Sequence, residues 1–291
     1  MQKRIILHTG LLLVCAQALA RVEEKKLFSY DFDARGELEV ESGAGNVTVV
    51  GSDTHNKVTV EVTKRANTKE EMALFDAKID ISDKETKAKV RSDNLNRVAN
   101  ASIDFNVMVP RYTEVDAEVG SGNIVIQNIK GQMKAEAGSG NVTISGARKE
   151  VEVRVGSGDA QIAYAADGFG KTDVKVGSGS IQVTNAGGSV EAKSGSGAIT
   201  IDQRILPHKE EIDAKTGAGN VKVSLPLEVN ATVKAESKTG TIADGGLQWM
   251  RKPLKEGQPK PAGDKASVVL GKGYADVDLE AKIGSVSVSL K

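Results

Sequence analysis

Gly138-Ser139-Gly140-Asn141-Val142-Thr143-Ile144 is one copy of a cassette that recurs along this 291-residue chain. Related copies begin at Gly43, Gly120, Gly156, Gly177, Gly195 and Gly217, with degenerate versions around Gly240 and Gly284. From Gly120 the copies follow at intervals of 18, 18, 21, 18 and 22 residues. A period near twenty residues marks stacked supersecondary units, each of which buries its apolar face only against its neighbours.

Each unit reads as two short strands. An A strand precedes the cassette, as in Val115-Asp-Ala-Glu-Val119 and Val151-Glu-Val-Arg-Val155, and a B strand is the cassette's tail, as in Ile124-Val-Ile126 and Val142-Thr-Ile144. Both alternate with period two, which places Val115, Ala117 and Val119 on a core face and Asp116 and Glu118 on the other. Glycine reaches positive φ without steric cost, and asparagine is the next most tolerant residue. The glycines, with Asn46, Asn123, Asn141 and Asn220, are therefore read as corners. The expected fold is all-β: a repetitive, β-helix-like solenoid with an N-terminal cap of strands and one short helix. A β-sandwich of repeated hairpins is the alternative, and pairing direction separates them, parallel within each sheet for the solenoid.

Outward A positions are charged, as in Asp116 and Glu118, Lys134 and Glu136, Glu152 and Arg154, Asp173 and Lys175, Glu191 and Lys193, and Asp213 and Lys215. Outward B positions Thr48, Val125, Thr143, Gln161, Gln182 and Thr200 are uncharged, with Lys222 the exception. The solenoid proper is expected over residues 115–243. Residues 21–114 supply the N-terminal strands and cap, with Thr68 to Glu71 fitting a capping box that opens a helix through Phe75. Residues 244–273, with Pro253, Pro259, Pro261 and the chain's one tryptophan, Trp249, have the composition of a flexible loop. Residues 274–291 are expected to be the closing strands.

Lys3 and Arg4, the apolar run from Ile5 to Val14, and Ala18-Leu19-Ala20 have the form of a signal peptide over residues 1–20. Export to the periplasm or beyond is expected, with no transmembrane segment after cleavage, since no later run approaches the roughly 18 apolar residues a spanning helix needs. Val14 stands where a lipidation signal at Cys15 needs a small residue, and cleavage after Ala20 removes the chain's one cysteine. The remainder carries 37 basic against 39 acidic side chains, and aromatics make up 3% of the whole chain. Nucleic acid is not an expected partner, because there is neither a positive field nor a set of stacking platforms.

Catalytic signals are weak. Gly170-Lys171-Thr172 resembles the end of a phosphate loop, but Ala165 stands at the first glycine position and a strand follows. His55 and His208 lack neighbouring ligands, and Asp159 sits where other cassettes place Asn, Ser or Ala, so no metal or other cofactor is expected. The A-face acids Asp116, Glu118 and Glu136 are the residues a carbohydrate-active β-helix enzyme would use. Alternating Glu and Lys reads more simply as a solvated, self-compensating surface.

Export, the strand end Val107-Met-Val-Pro110 running into Val115 to Val119, and the serial Gly-Ser-Gly-Asn cassettes together resemble the DUF4097 family of adhesin-like toastrack domains, over most of residues 35–290. The resemblance implies an extracytoplasmic β-solenoid with links to envelope stress or surface interactions, and it brings no catalytic residues. The resulting expectation is a non-enzymatic, adhesin-like module whose partner is an envelope protein or surface polymer. Its candidate interaction face is Thr48, Val125, Thr143, Gln161, Gln182 and Thr200, together with Trp249. The carbohydrate-active enzyme is the alternative.

Overall fold

The computed structural model describes residues 21–53, 56–82, 84–95, 98–243, 245–251 and 263–291. The signal segment, Cys15, His55 and the three loop prolines lie outside them. The chain divides into two compact units, residues 1–144 and 145–291.

Unit 1 contains a sheet of A strands in the spatial order Asp76–Ile81, Lys87–Asp93, Glu37–Ala44, Glu114–Ser121, Met133–Ser139. Its B sheet runs Val22–Asp31, Lys57–Ala66, Ser102–Pro110, Val47–Ser52, Ile124–Gln127, and then the strand that begins at Val142. The cassette strands pair in parallel. Val47 faces Ile124, and Leu38, Val40 and Ser42 face Val115, Ala117 and Val119. Consecutive hairpins of a sandwich would pair antiparallel. The fold is a β-solenoid.

Unit 2 repeats the plan. Its A sheet runs Val151–Ser157, Thr172–Ser178, Val190–Ser196, Glu211–Ala218, Ala275–Ile283, Ala231–Ser237, Asp264–Leu270 and Met250–Arg251. Its B sheet runs Ala160–Tyr164, Ile181–Ala186, Ile199–Gln203, Val221–Leu225, Val286–Leu290 and Ile242–Ala243. Inward positions make the core of each unit. Val115, Ala117, Val119, Ile124 and Ile126 are buried in unit 1, and Val153, Ile162, Val174, Val183, Ile201 and Val223 in unit 2.

Chain order and stacking order part company at the solenoid ends. The region expected to cap the first coil instead supplies a full rung of its own: Lys87–Asp93 pairs in parallel with Glu37–Ala44, and Ser102–Pro110 with Val47–Ser52. The first cassette thus lies between that rung and the Glu114–Ser121 rung. Antiparallel strands then terminate the stack, with Lys57–Ala66 on Ser102–Pro110 and Val22–Asp31 outermost. Glu23, Glu24, Lys25 and Lys26 on that edge oppose further strand addition.

The expected closing strands are not the spatial end. Ala275–Ile283 inserts between Glu211–Ala218 and Ala231–Ser237, pairing in parallel with both. The stack is closed by part of the expected loop: Asp264–Leu270 pairs antiparallel with Ala231–Ser237 and carries the two-residue strand Met250–Arg251 on its other side. The loop reading is corrected over those residues. Proline content dominated it, while Ala266 and Val268 alternate and are buried. The short helix is Lys69–Met72, ending three residues before Phe75. Thr68 caps it by accepting from the Glu71 N–H, and Glu71 reaches back to the Asn67 N–H rather than to that of Thr68.

The corners also differ from the sequence reading. The second glycine of each cassette takes the positive φ, as Gly122 does at +143°, while Asn46, Asn123, Asn141 and Asn220 do not. These asparagines build a ladder instead. Asn46 Oδ1 accepts from the Asn123 N–H at 3.0 Å, and Asn123 Oδ1 from the Asn141 N–H at 2.9 Å. Asp159 and Asn220 do the same for the N–H groups of Ser180 and Ser285 at 2.8 and 2.9 Å. On these four rungs the side chain thus satisfies a backbone donor that the turn leaves without a strand partner. Replacing Asn123 with alanine is expected to cost about 1 kcal/mol in urea unfolding, because one hydrogen bond is lost at an exposed corner. Asn123→Asp, which reproduces the Asp159 arrangement, should cost less.

Candidate functional site

Parallel register turns each outward position into a row that crosses the rungs. In unit 2, Gln161 faces Gln182, Gln182 faces Thr200, Thr200 faces Lys222 and Lys222 faces Ser287. In unit 1, Glu61 faces Asn106, Asn106 faces Thr48 and Thr48 faces Val125, and Glu61 accepts from the Asn106 amide at 3.1 Å. Thr143 points outward from the next strand and is half-buried. The structure therefore brings Thr48 and Val125 together in one unit, and Gln161, Gln182 and Thr200 in the other.

Trp249 stands apart from these rows. It is half-buried beside Met250, whose strand belongs to the A sheet of unit 2. Met250 borders an open depression of about 540 Å³ with Lys215, Lys234, Glu236, Lys265 and Glu280. A depression of similar size in unit 1 is lined by Val22, Met72, Leu74 and Phe75. There the buried Lys64 lies 3.3 Å from Asp76 and 5.0 Å from the centre of the Phe75 ring.

Many of the outward charges on the A strands are paired. Lys134 bridges Asp116 at 3.3 Å and Glu136 at 3.1 Å, while Glu118 faces Glu136 across the strands. Asp173 and Lys175 lie 3.1 Å apart, and Glu191 and Lys193 2.6 Å. Hydrogen bonds from Lys89, Lys193 and Lys238 hold Glu39, Glu191 and Glu280 below the ordinary carboxylate range. A glycosidase's general acid needs the opposite shift. Tyr164 is pushed up to about 12 by burial, and its hydroxyl meets Thr172 Oγ1 at 2.8 Å. The Gly170-Lys171-Thr172 segment leads directly into a strand rather than a helix, with Thr172 fully buried.

Among the described residues no group of three or more His, Cys, Asp or Glu side chains is arranged to hold a metal ion. His208 packs edge-to-face on Tyr274 at 4.6 Å, and the Asp159 carboxylate is engaged by the Ser180 N–H. No helix among the described residues is long and apolar enough to cross a membrane.

The toastrack DUF4097 family model matches residues 36–289. The chain belongs to that family. This toastrack chain is also similar to a putative adhesin from Bacteroides fragilis NCTC 9343, at 16% identity over 92% of this chain and 97% of that one, with a TM-score of 0.49. A putative cell adhesion protein from Clostridium sporogenes ATCC 15579 is similar at 14% identity over 94% and 100% of the two chains, with a TM-score of 0.27. A putative lipid binding protein from Parabacteroides distasonis ATCC 8503 shares 9% identity over 92% and 96%, with a TM-score of 0.28. No curated protein matches the toastrack chain.

The sequence reading missed how charge is distributed on the A face of this toastrack. It expected Glu and Lys to compensate one another across the stacked strands. In unit 2 the register does the reverse, placing Glu152, Asp173, Glu191 and Asp213 in one row and Arg154, Lys175, Lys193 and Lys215 in the next. Aligning the cassettes at Gly156, Gly177, Gly195 and Gly217 by their first glycine shows the signal, because in these four the acid stands four residues before that glycine and the base two.

Proposed function

We propose that the protein is an exported, non-enzymatic, adhesin-like module of the cell envelope that binds its partner through the outward B rows. One observation carries the reading: Gln161, Gln182 and Thr200 form a row without charge on three successive strands. Such a row offers amide and hydroxyl groups at the strand spacing of about 4.8 Å to an extended partner. Membership of the toastrack family and the form of residues 1–20 support the cellular setting. The partner is an envelope protein or a surface polymer, and the link to envelope stress rests on the family resemblance.

The test is crosslinking in the native envelope with a photoreactive residue at position 182. It is expected to give a discrete adduct that Gln161→Glu with Thr200→Glu abolishes while leaving the unfolding midpoint unchanged. Adducts of the same yield in that double variant would remove the B row from the function. Turnover of a polysaccharide by the purified protein, lost on Asp116→Asn or Glu136→Gln, would replace the binding reading with the enzymatic one.

A further inference from the structure

We propose that the charged A face of unit 2 docks on the same face of a second copy of this chain. The surface is separate from the B rows, so the proposal goes beyond the function above.

The starting point is a cost. Like charges on directly facing strand positions destabilise a sheet, and neighbouring strands lie about 4.8 Å apart. Unit 2 nevertheless stacks acid on acid and base on base over four rungs, from Glu152 and Arg154 to Asp213 and Lys215. Compensation comes chiefly along each strand, at 2.5 Å for Glu152 and Arg154 and 2.7 Å for Asp213 and Lys215. The diagonals are longer, 3.9 Å for Lys175 to Glu191 and 3.8 Å for Lys193 to Asp213. Reversing the signs on alternate rungs would compensate in both directions.

Segregation has one geometric product, which is self-complementarity. A two-fold axis lying between two facing copies and parallel to the rows sets the acidic row of each copy over the basic row of the other. The axis at right angles to it, in the same plane, sets acid on acid and is disfavoured. The basic side chains are 42 to 46% exposed, against 18 to 34% for the acids beside them, so the bases stand ready to reach a facing carboxylate. Each ammonium has three donors, enough for its own acid and a second one.

The match ends at the rung where Asp278 and Glu280 are both acidic. Unit 1 lacks it, because Glu39 with Glu41 and Asp116 with Glu118 carry one sign on one strand. Four strands of about seven residues give roughly 400 Å² per partner, half of a standard interface. The association is therefore weak and salt-dependent, suited to avidity between many copies on one surface rather than to a permanent dimer.

The experiment is sedimentation velocity on the full chain over a concentration series, at about 10 mM and about 1 M salt, between which the Debye length falls from roughly 30 Å to 3 Å. Wild type is expected to dimerise at low salt and to be monomeric at high salt. Lys175→Glu with Lys193→Glu makes the two middle rungs wholly acidic, and Asp173→Lys with Glu191→Lys makes them wholly basic. Each variant alone should lose the dimer, and an equimolar mixture should recover it. A third variant carrying all four changes exchanges acid and base on the two middle rungs and preserves the pairing within each strand, so its folding is not at risk. It should associate with itself and not with wild type. A wild-type monomer at low salt, a mixture that stays monomeric, or a four-change variant that pairs with wild type as well as with itself would each overturn the proposal.

Discussion

Gly179→Ala is expected to lower the stability of unit 2 by more than about 4 kcal/mol, an effect reached only by gross steric or electrostatic faults. Two faults coincide there. Gly179 has φ of +139°, where a Cβ is strained by about 1 to 3 kcal/mol. The added atom would also land on the Gly158 carbonyl oxygen of the rung beneath, far inside van der Waals contact. Relief would mean parting two strands whose hydrogen bonds lock them in register from Thr172 to Ser178. Gly246→Ala separates the two contributions. Its φ is +79° with nothing within 4 Å of the added atom, so only the strain remains. Urea unfolding of the pair checks the account, which fails if both variants lose the same amount.

Val176→Asp should be nearly as damaging at neutral pH. Val176 is buried between Val155 and Ser194, which face it on the two neighbouring strands. A carboxylate there is desolvated without a counter-charge, at a cost of several kcal/mol. Its folded-state pKa would be raised above the unfolded value of about 3.9, so the variant loses stability as pH climbs from the unfolded to the folded pKa. The deficit should shrink as pH is lowered towards 4, the reverse of the acid denaturation expected of surface ion pairs. Rungs share their core, so the loss should appear as one cooperative transition.

Val176→Thr is the informative control for that prediction. Ser194 and Thr216 already occupy the same inward row, and their hydroxyls each donate at 2.9 Å to the carbonyls of Gly179 and Gly197. A threonine at 176 has the equivalent Gly158 carbonyl within reach and should cost under about 1.5 kcal/mol. Thermal unfolding across a pH series distinguishes the two substitutions. A Val176→Asp chain as stable as wild type at pH 7 would mean that the position faces outward.

The inward set was legible because period-two alternation survives any register: Val115, Ala117 and Val119 are buried whichever strand lies beside them. The glycine pairs were legible as corners for the same local reason. The role of the asparagines was not, since φ and a hydrogen bond to the next rung are both compatible with Asn in a turn. The candidate face was half legible. Gln161, Gln182 and Thr200 share a row because parallel pairing in register aligns equivalent cassette positions, whereas Trp249 was attached to them by rarity alone and stands in the other sheet.

By itself the sequence determined that the chain is a two-strand repeat with glycine corners, a charged A face and a mostly uncharged B face, because each of these follows from the local period and from residues that only certain backbone angles accept. Tertiary structure alone decided the stacking order at both ends, where Lys87–Asp93 lies outside the first cassette rung and Ala275–Ile283 slips inside Ala231–Ser237. It also decided that acids meet acids and bases meet bases in unit 2. Stacking order depends on which strand lies beside which, and backbone hydrogen bonding between strands is indifferent to side-chain identity, so no local pattern encodes it, whereas the charge order is repeated in the cassettes and becomes two rows only when parallel register aligns them.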